Sequence, residues 1–371
     1  MKRLVVGLVL FLLAAPPAFA AEPDLPAVLA QAMEGQTVPA VGVLVIRDGV
    51  VAGQAVRGVR VLGKAEPVRL SDRWNLGSDG KAITATMIAR LVERGLLRWD
   101  APLSEMLPEL AADMRPEYRD VTLVDLFSHR AGLPENVSDE VFYKSFYADR
   151  RPLPEQRLAY LRQALSEAPV GPARGEPSYS NTGPLLAAAI AERATGKPFE
   201  RLMQDEVFKP LGMTSPVFGQ APGAGEPWGH VDGRIADKPF DANADFFTPA
   251  GGVRMTLADW ARFCIDQLKG EEGSGKLLKA ESYRQLHTPQ GETIFALGWG
   301  VAPQMAGRVG PVLTHSGSDG NWFAFVALFP TGDNGVLVVA NAADSMGGDA
   351  AAKSIARAVM MTLAPPVPSE P

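Results

Sequence analysis

The sequence predicts an α+β protein: an antiparallel sheet built from both chain ends, flanked by helices, with a mainly helical region inserted between. Three observations predict it. Strand patterns cluster near the start and again near the end of the 371 residues. The long middle reads as helices and loops, and the strands do not alternate with helices as a βαβ series would. The sheet region is placed at about 38–77 and 250–363, and the helical insertion at about 100–213.

Met1-Lys2-Arg3, an apolar run from Leu4 to Leu13 and an Ala-Phe-Ala end at Ala18–Ala20 form a secretory signal peptide over residues 1–20. The apolar run is too short to span a bilayer and stops at Pro16-Pro17. A periplasmic or secreted mature protein without a membrane span is therefore expected. Losing Lys2 and Arg3 takes the formal net charge from −6 to −8. An acidic chain without basic clusters argues against nucleic acid and against an anionic membrane surface. The single cysteine, Cys264, lies in an apolar helical pattern and reads as core. His129, His230, His287 and His315 lack ligand spacing and no phosphate loop appears, so neither a metal nor another cofactor is expected.

In chain order, Val41–Arg47 and Val50–Val59 read as two strands joined by the hairpin signal Asp48-Gly49. A central helix runs from Ser78 to about Gly95, with Ile83, Met87, Ile88, Leu91 and Val92 on its apolar stripe. Further helices are expected at 122–127, 156–167 and 185–196, with a long irregular excursion from Pro216 to Asp245 near the site. Thr256 opens the helix that carries Cys264. Strands return at 295–301, 321–329 and 335–341, a final helix covers about 349–363, and 364–371 is a loose tail.

The chemistry starts at Ser78 and Lys81. A serine at a helix start meets unpaired N–H groups, and a lysine three residues on returns to the same face. A hydroxyl needs a neighbour to take its proton, and a desolvated amine becomes a usable base. Pro177–Gly183 supplies Tyr179, able to carry a proton beside Lys81, and the amide of Asn181; alone it also reads as a capping turn. Leu313–Gly320, entering the strand at Asn321, offers backbone N–H groups that can complete an oxyanion hole with Ser78 N–H; alone it also reads as a glycine-rich strand entry. Gly317 there would let substrate approach the backbone.

Taken in this order, the three stretches resemble the serine β-lactamase and penicillin-binding-protein superfamily. The likeness is greatest to its class C β-lactamase, D-alanyl-D-alanine carboxypeptidase and esterase branch. It spans about Pro39 to Leu363, and Leu91–Leu103, Leu126–Pro134 and Pro249–Thr256 support it. The resemblance implies a β-lactamase/transpeptidase-like fold and an acylated Ser78, with Lys81 and Tyr179 moving its proton. It further implies that Asn181, His315, Ser316, Gly317 and Ser318 bind substrate. His315 stands where many family β-lactamases carry lysine, and Asp79-Gly80 is unusual between Ser78 and Lys81. The expected substrate is a β-lactam, a D-amino-acid peptide or a small ester, possibly peptidoglycan-derived, handled by a monomer. The alternative is a catalytically silent homologue that binds peptidoglycan or a peptide.

Overall fold

The computed structural model describes residues 23–219, 223, 225–238 and 240–363. The expected signal peptide and C-terminal tail lie outside them. A six-stranded antiparallel sheet runs in the order Val50–Gly58, Ala40–Arg47, Asn334–Ala340, Phe323–Phe329, Arg308–Ser318, Gly300–Met305. Its second and third strands, Ala40–Arg47 and Asn334–Ala340, join the two chain ends, with Val43 opposite Val338. Period-two alternation divides the first strand between two cores. Val41, Val43 and Val45 pack under the terminal helices Leu25–Met33 and Gly348–Met360; Leu44 and Ile46 face the main core.

The hairpin turn is where the sequence placed it. Asp48 and Gly49 both take positive φ (49° and 69°), which Asp tolerates and Gly adopts without steric cost. Three expectations shift. Leu313–Gly320 is no mere entry to the next strand: Arg308–Ser318 is a strand of its own, paired antiparallel with Phe323–Phe329. The strand expected at 295–301 runs from Gly300 to Met305, and Phe295 only bridges to Gly300. Helix Leu25–Met33, with Asp24 accepting from Ala27 N–H, occupies the Pro-rich stretch ahead of Val41, for which the sequence reading gives no element.

On the main-core face lie helix Gly80–Glu93, whose residues are almost all buried, and helix Leu257–Gly270, with Cys264 inside the core. Helix Thr182–Thr195 packs across Gly80–Glu93, Leu123–Phe127 and Leu153–Ser166. Fully buried Arg157 bridges Glu192 and Glu200 and donates from Nε to Phe246 O at 3.0 Å. The described part of the 216–245 excursion holds the short pair His230–Val231 and Arg234–Ile235. It is tied to the helical region where Tyr143 Oη meets Asn243 Oδ1 at 3.1 Å. Among the described residues no helix is long and apolar enough to cross a membrane.

Candidate active site

Ser78 sits in a single 3-10 turn, Gly77–Asp79, that leads directly into helix Gly80–Glu93. Three glycines let backbone crowd around it. A Cβ on Gly77, whose φ is +49°, would come within 2.6 Å of Ser318 N; one on Gly251 would come within 2.9 Å of Gly77 C. A Cβ on Gly317 would lie 1.9 Å from Leu76 O and 2.8 Å from Ser78 N. Gly317 therefore serves the approach of the Ser318 strand to the nucleophile's turn. That replaces the expectation that it opens the backbone to substrate.

Lys81 is fully buried, and its Nζ lies 2.9 Å from Ser78 Oγ, 2.8 Å from Asn181 Oδ1 and 2.7 Å from Ala250 O. Burial pushes its ammonium down to about 7, against the opposing pull of Glu135 and Asp79. A neutral amine is therefore accessible near neutral pH. The same Nζ stands 4.8 Å from the centre of the Tyr179 ring. Burial raises the Tyr179 phenol, and its hydrogen bond to Ser78 opposes the rise only in part. Tyr179 is accordingly a neutral hydrogen-bonding group beside the nucleophile.

The Tyr179 loop is held from behind. The His129 ring packs against Tyr179 with centroids 4.5 Å apart, and His129 Nδ1 accepts from Ser180 N–H at 3.1 Å. Burial drives His129 down to about 3, so it acts as a neutral support, with its nitrogen spent on the backbone. Asn181 opens helix Thr182–Thr195. Its Nδ2 donates to Asn136 Oδ1 at 3.1 Å while its Oδ1 faces Lys81, so the amide is engaged with the base and the 135–136 loop.

A cleft of about 730 Å³ opens over these groups, lined among others by Ser78, Tyr179, Asn181, Ser316 and Ser318. Strand alternation turns His315 and Gly317 the other way. Neither lines the cleft, and the His315 ring instead faces Asp79 with Nδ1 3.8 Å from Oδ1. Burial lowers His315 to about 3 and raises the Asp79 carboxyl well above its usual range. His315 is thus neutral near pH 7, and burial favours the protonated form of Asp79, so burial works against an ion pair between them. Asp79, read in the sequence only as an oddity, is a buried carboxyl without a hydrogen-bond partner. Ala250 O and Glu135 carry no signal of their roles in the sequence: one is a backbone atom, the other an exposed glutamate. The described residues contain no group of three or more His, Cys, Asp or Glu able to hold a metal.

Comparison with known proteins identifies the family and the fold. A "D-alanyl-D-alanine-carboxypeptidase/endopeptidase AmpH" of Escherichia coli strain K12 is 25% identical over 274 residues, covering 70% of this chain and 68% of the relative. A "Beta-lactamase" of the same strain is 25% identical over 350 residues, 83% of this chain and 85% of the relative. Among solved structures, an octameric penicillin-binding protein homologue from Pyrococcus abyssi superposes with a TM-score of 0.72 at 22% identity. That match covers 91% of this chain and 77% of the homologue, and it shows the shared fold. The Beta-lactamase family profile matches residues 25–360, and the chain belongs to that family, part of a serine hydrolase superfamily.

Proposed function

We propose that this protein is an exported serine hydrolase that cleaves an amide or ester through an acyl-enzyme on Ser78. The observation that carries the reading is the 2.9 Å separation of Lys81 Nζ and Ser78 Oγ, with the amine titrating at about 7. A neutral amine has two hydrogens and one lone pair. Donating to Asn181 Oδ1 and Ala250 O leaves the lone pair for the Ser78 proton. The alkoxide attacks the carbonyl, and Ser78 N–H and Ser318 N–H receive the oxyanion. Tyr179 and Lys81 return the proton to the leaving amine or alcohol, and water then hydrolyses the ester on Ser78. The relatives named as a D-alanyl-D-alanine carboxypeptidase and a β-lactamase support β-lactams or D-amino-acid peptides as substrates, beside small esters. Export rests on the N-terminal sequence.

The test is labelling with a fluorescent penicillin and with a fluorophosphonate, followed by mass spectrometry of the intact protein. One adduct, absent in Ser78→Ala, is expected. Folded protein that takes neither reagent would instead favour a silent homologue that binds peptidoglycan or a peptide.

A further inference from the structure

A substrate carboxylate finds little to hold it in this cleft. Among the described lining residues the only basic side chain is Lys144, whose Nζ is 2.9 Å from Glu140 Oε2. Lys81 is enclosed by its three acceptors and His315 is neutral and turned away. The carboxylates on the lining are Glu135, Glu140 and Asp319. Glu140 is occupied by Lys144, and Asp319 accepts from Asn75 Nδ2 at 2.7 Å and from two backbone N–H groups.

Glu135 differs from both. Its side chain accepts no hydrogen bond from another described residue, yet it lies near enough to Lys81 to raise that amine's pKa. Its place is fixed, because Glu135 O accepts from Asn181 N–H at 2.9 Å and neighbouring Asn136 binds the Asn181 amide. This puts a carboxylate beside Asn181, within a cleft that already contains the nucleophile.

We infer that the cleft selects acyl groups bearing a free ammonium, as in amides or esters of unblocked amino acids, and that Glu135 is the residue that recognises the charge. The inference rests on the Ser78 cleft being the substrate site. It departs from a preference for carboxylate-bearing substrates, since the recognised charge is positive and belongs to the acyl part.

A pair of ligands isolates the effect. Alanine anilide and isobutyranilide differ by an ammonium in place of a methyl, and an α-amino group is mostly protonated at pH 7. Binding to Ser78→Ala protein, followed by ligand-observed NMR titration, requires no catalysis. Alanine anilide is expected to bind about fivefold more tightly, the scale of a partly exposed ion pair. The preference should vanish in Ser78→Ala/Glu135→Gln and reverse in Ser78→Ala/Glu135→Lys. Comparing two ligands on one protein cancels any effect of Glu135 on cleft shape, and the lower Lys81 protonation expected in Glu135→Gln would favour the ammonium ligand, so it cannot mimic a lost preference. Equal binding of the two ligands, or a preference that survives Glu135→Gln, overturns the assignment. Turnover of alanine p-nitroanilide by the wild type reports separately on the acyl-enzyme. Intact binding preference without p-nitroaniline release would sink the hydrolase reading and leave the charge recognition standing.

Discussion

Asp79 Oδ1 lies 3.8 Å from His315 Nδ1, and burial disfavours the charged form of each. Burial is the first cause for both, and it acts in opposite directions on an acid and a base. Beside the nucleophile stands an acid pushed toward its protonated form, next to a neutral imidazole.

Asp79→Asn keeps the shape and removes the titration. The folded-state pKa of Asp79 is raised, so the native state is at no disadvantage below the unfolded value of about 4 and loses stability as pH rises toward the folded pKa. The variant escapes that loss. Its melting temperature should exceed the wild type's at pH 8, by an amount worth about 1–3 kcal/mol, and converge with it near pH 4. Calorimetry across that range checks it. A variant less stable at pH 8 would show that the carboxyl is used in its ionised form.

Lys81 sets the pH dependence of acylation. Only its neutral form can take the Ser78 proton, so kcat/KM for a neutral ester should rise with pH through about 7 and level off. Lys81→Ala should reduce acylation by a factor of ~100–10,000. Because the folded pKa is depressed from the usual lysine range, the cost to stability is fully present below about 7 and is relieved as pH climbs toward 10.5. Lys81→Met should therefore gain more thermal stability at pH 6 than at pH 10. A flat rate profile between pH 6 and 8 would remove the amine from the proton path.

Tyr179→Phe separates hydrogen bonding from packing. The ring stays against His129 while the hydroxyl contact to Ser78 is lost. Turnover should fall with KM near the wild-type value, and because the phenol's pKa is raised, no activity increase from phenolate formation is expected up to pH 10. Unchanged turnover would reduce Tyr179 to a support at the start of helix Thr182–Thr195.

Much of this was legible in the sequence for local reasons. Asp48-Gly49 declares a hairpin through the φ values it tolerates, and the stripe from Ile83 to Leu91 declares a helix whose start carries Ser78 and Lys81. Strand Arg308–Ser318 was hidden because Gly310, Pro311 and Gly317 interrupt its pattern with residues that favour breaks. The environment of the site residues was hidden for another reason. Ala250 O reaches Lys81 across 169 residues, and the inward turn of His315 depends on a strand the pattern did not announce.

His315→Lys tests what a cation at that position would do. A lysine beside Asp79 would draw the carboxyl into an ion pair, so the single variant should gain little for anionic substrates. The double variant His315→Lys/Asp79→Asn leaves the ammonium unpaired. The imidazole is turned from the cleft, but lysine is longer and, with Asp79 neutralised, free to swing back past Ser316. The kcat/KM for nitrocefin relative to p-nitrophenyl acetate should then rise by up to about 10-fold at pH 8, the scale of one charge-assisted contact. Equal ratios in the wild type and the double variant would mean that this position has no influence on carboxylate recognition.

Gly317→Ala probes the closeness of the strand to the nucleophile. The added Cβ would sit 1.9 Å from Leu76 O, 2.8 Å from Ser78 N and 2.8 Å from Asp79 Oδ2. Two of these are backbone atoms of the turn that holds Ser78, so no side-chain rotation relieves the clash. Either the strand or the turn must move, and each carries one of the two N–H groups assigned to the oxyanion. Strand Arg308–Ser318 is held on both sides by Phe323–Phe329 and Gly300–Met305, so the sheet should survive while its distance from Ser78 grows. Losing one oxyanion donor typically costs ~100–1,000-fold in kcat. Acylation of Gly317→Ala should therefore fall by at least about 100-fold, with circular dichroism unchanged and Lys81 still titrating near 7 in the residual rate. Near-normal acylation would mean that Ser318 N–H is no part of the oxyanion hole.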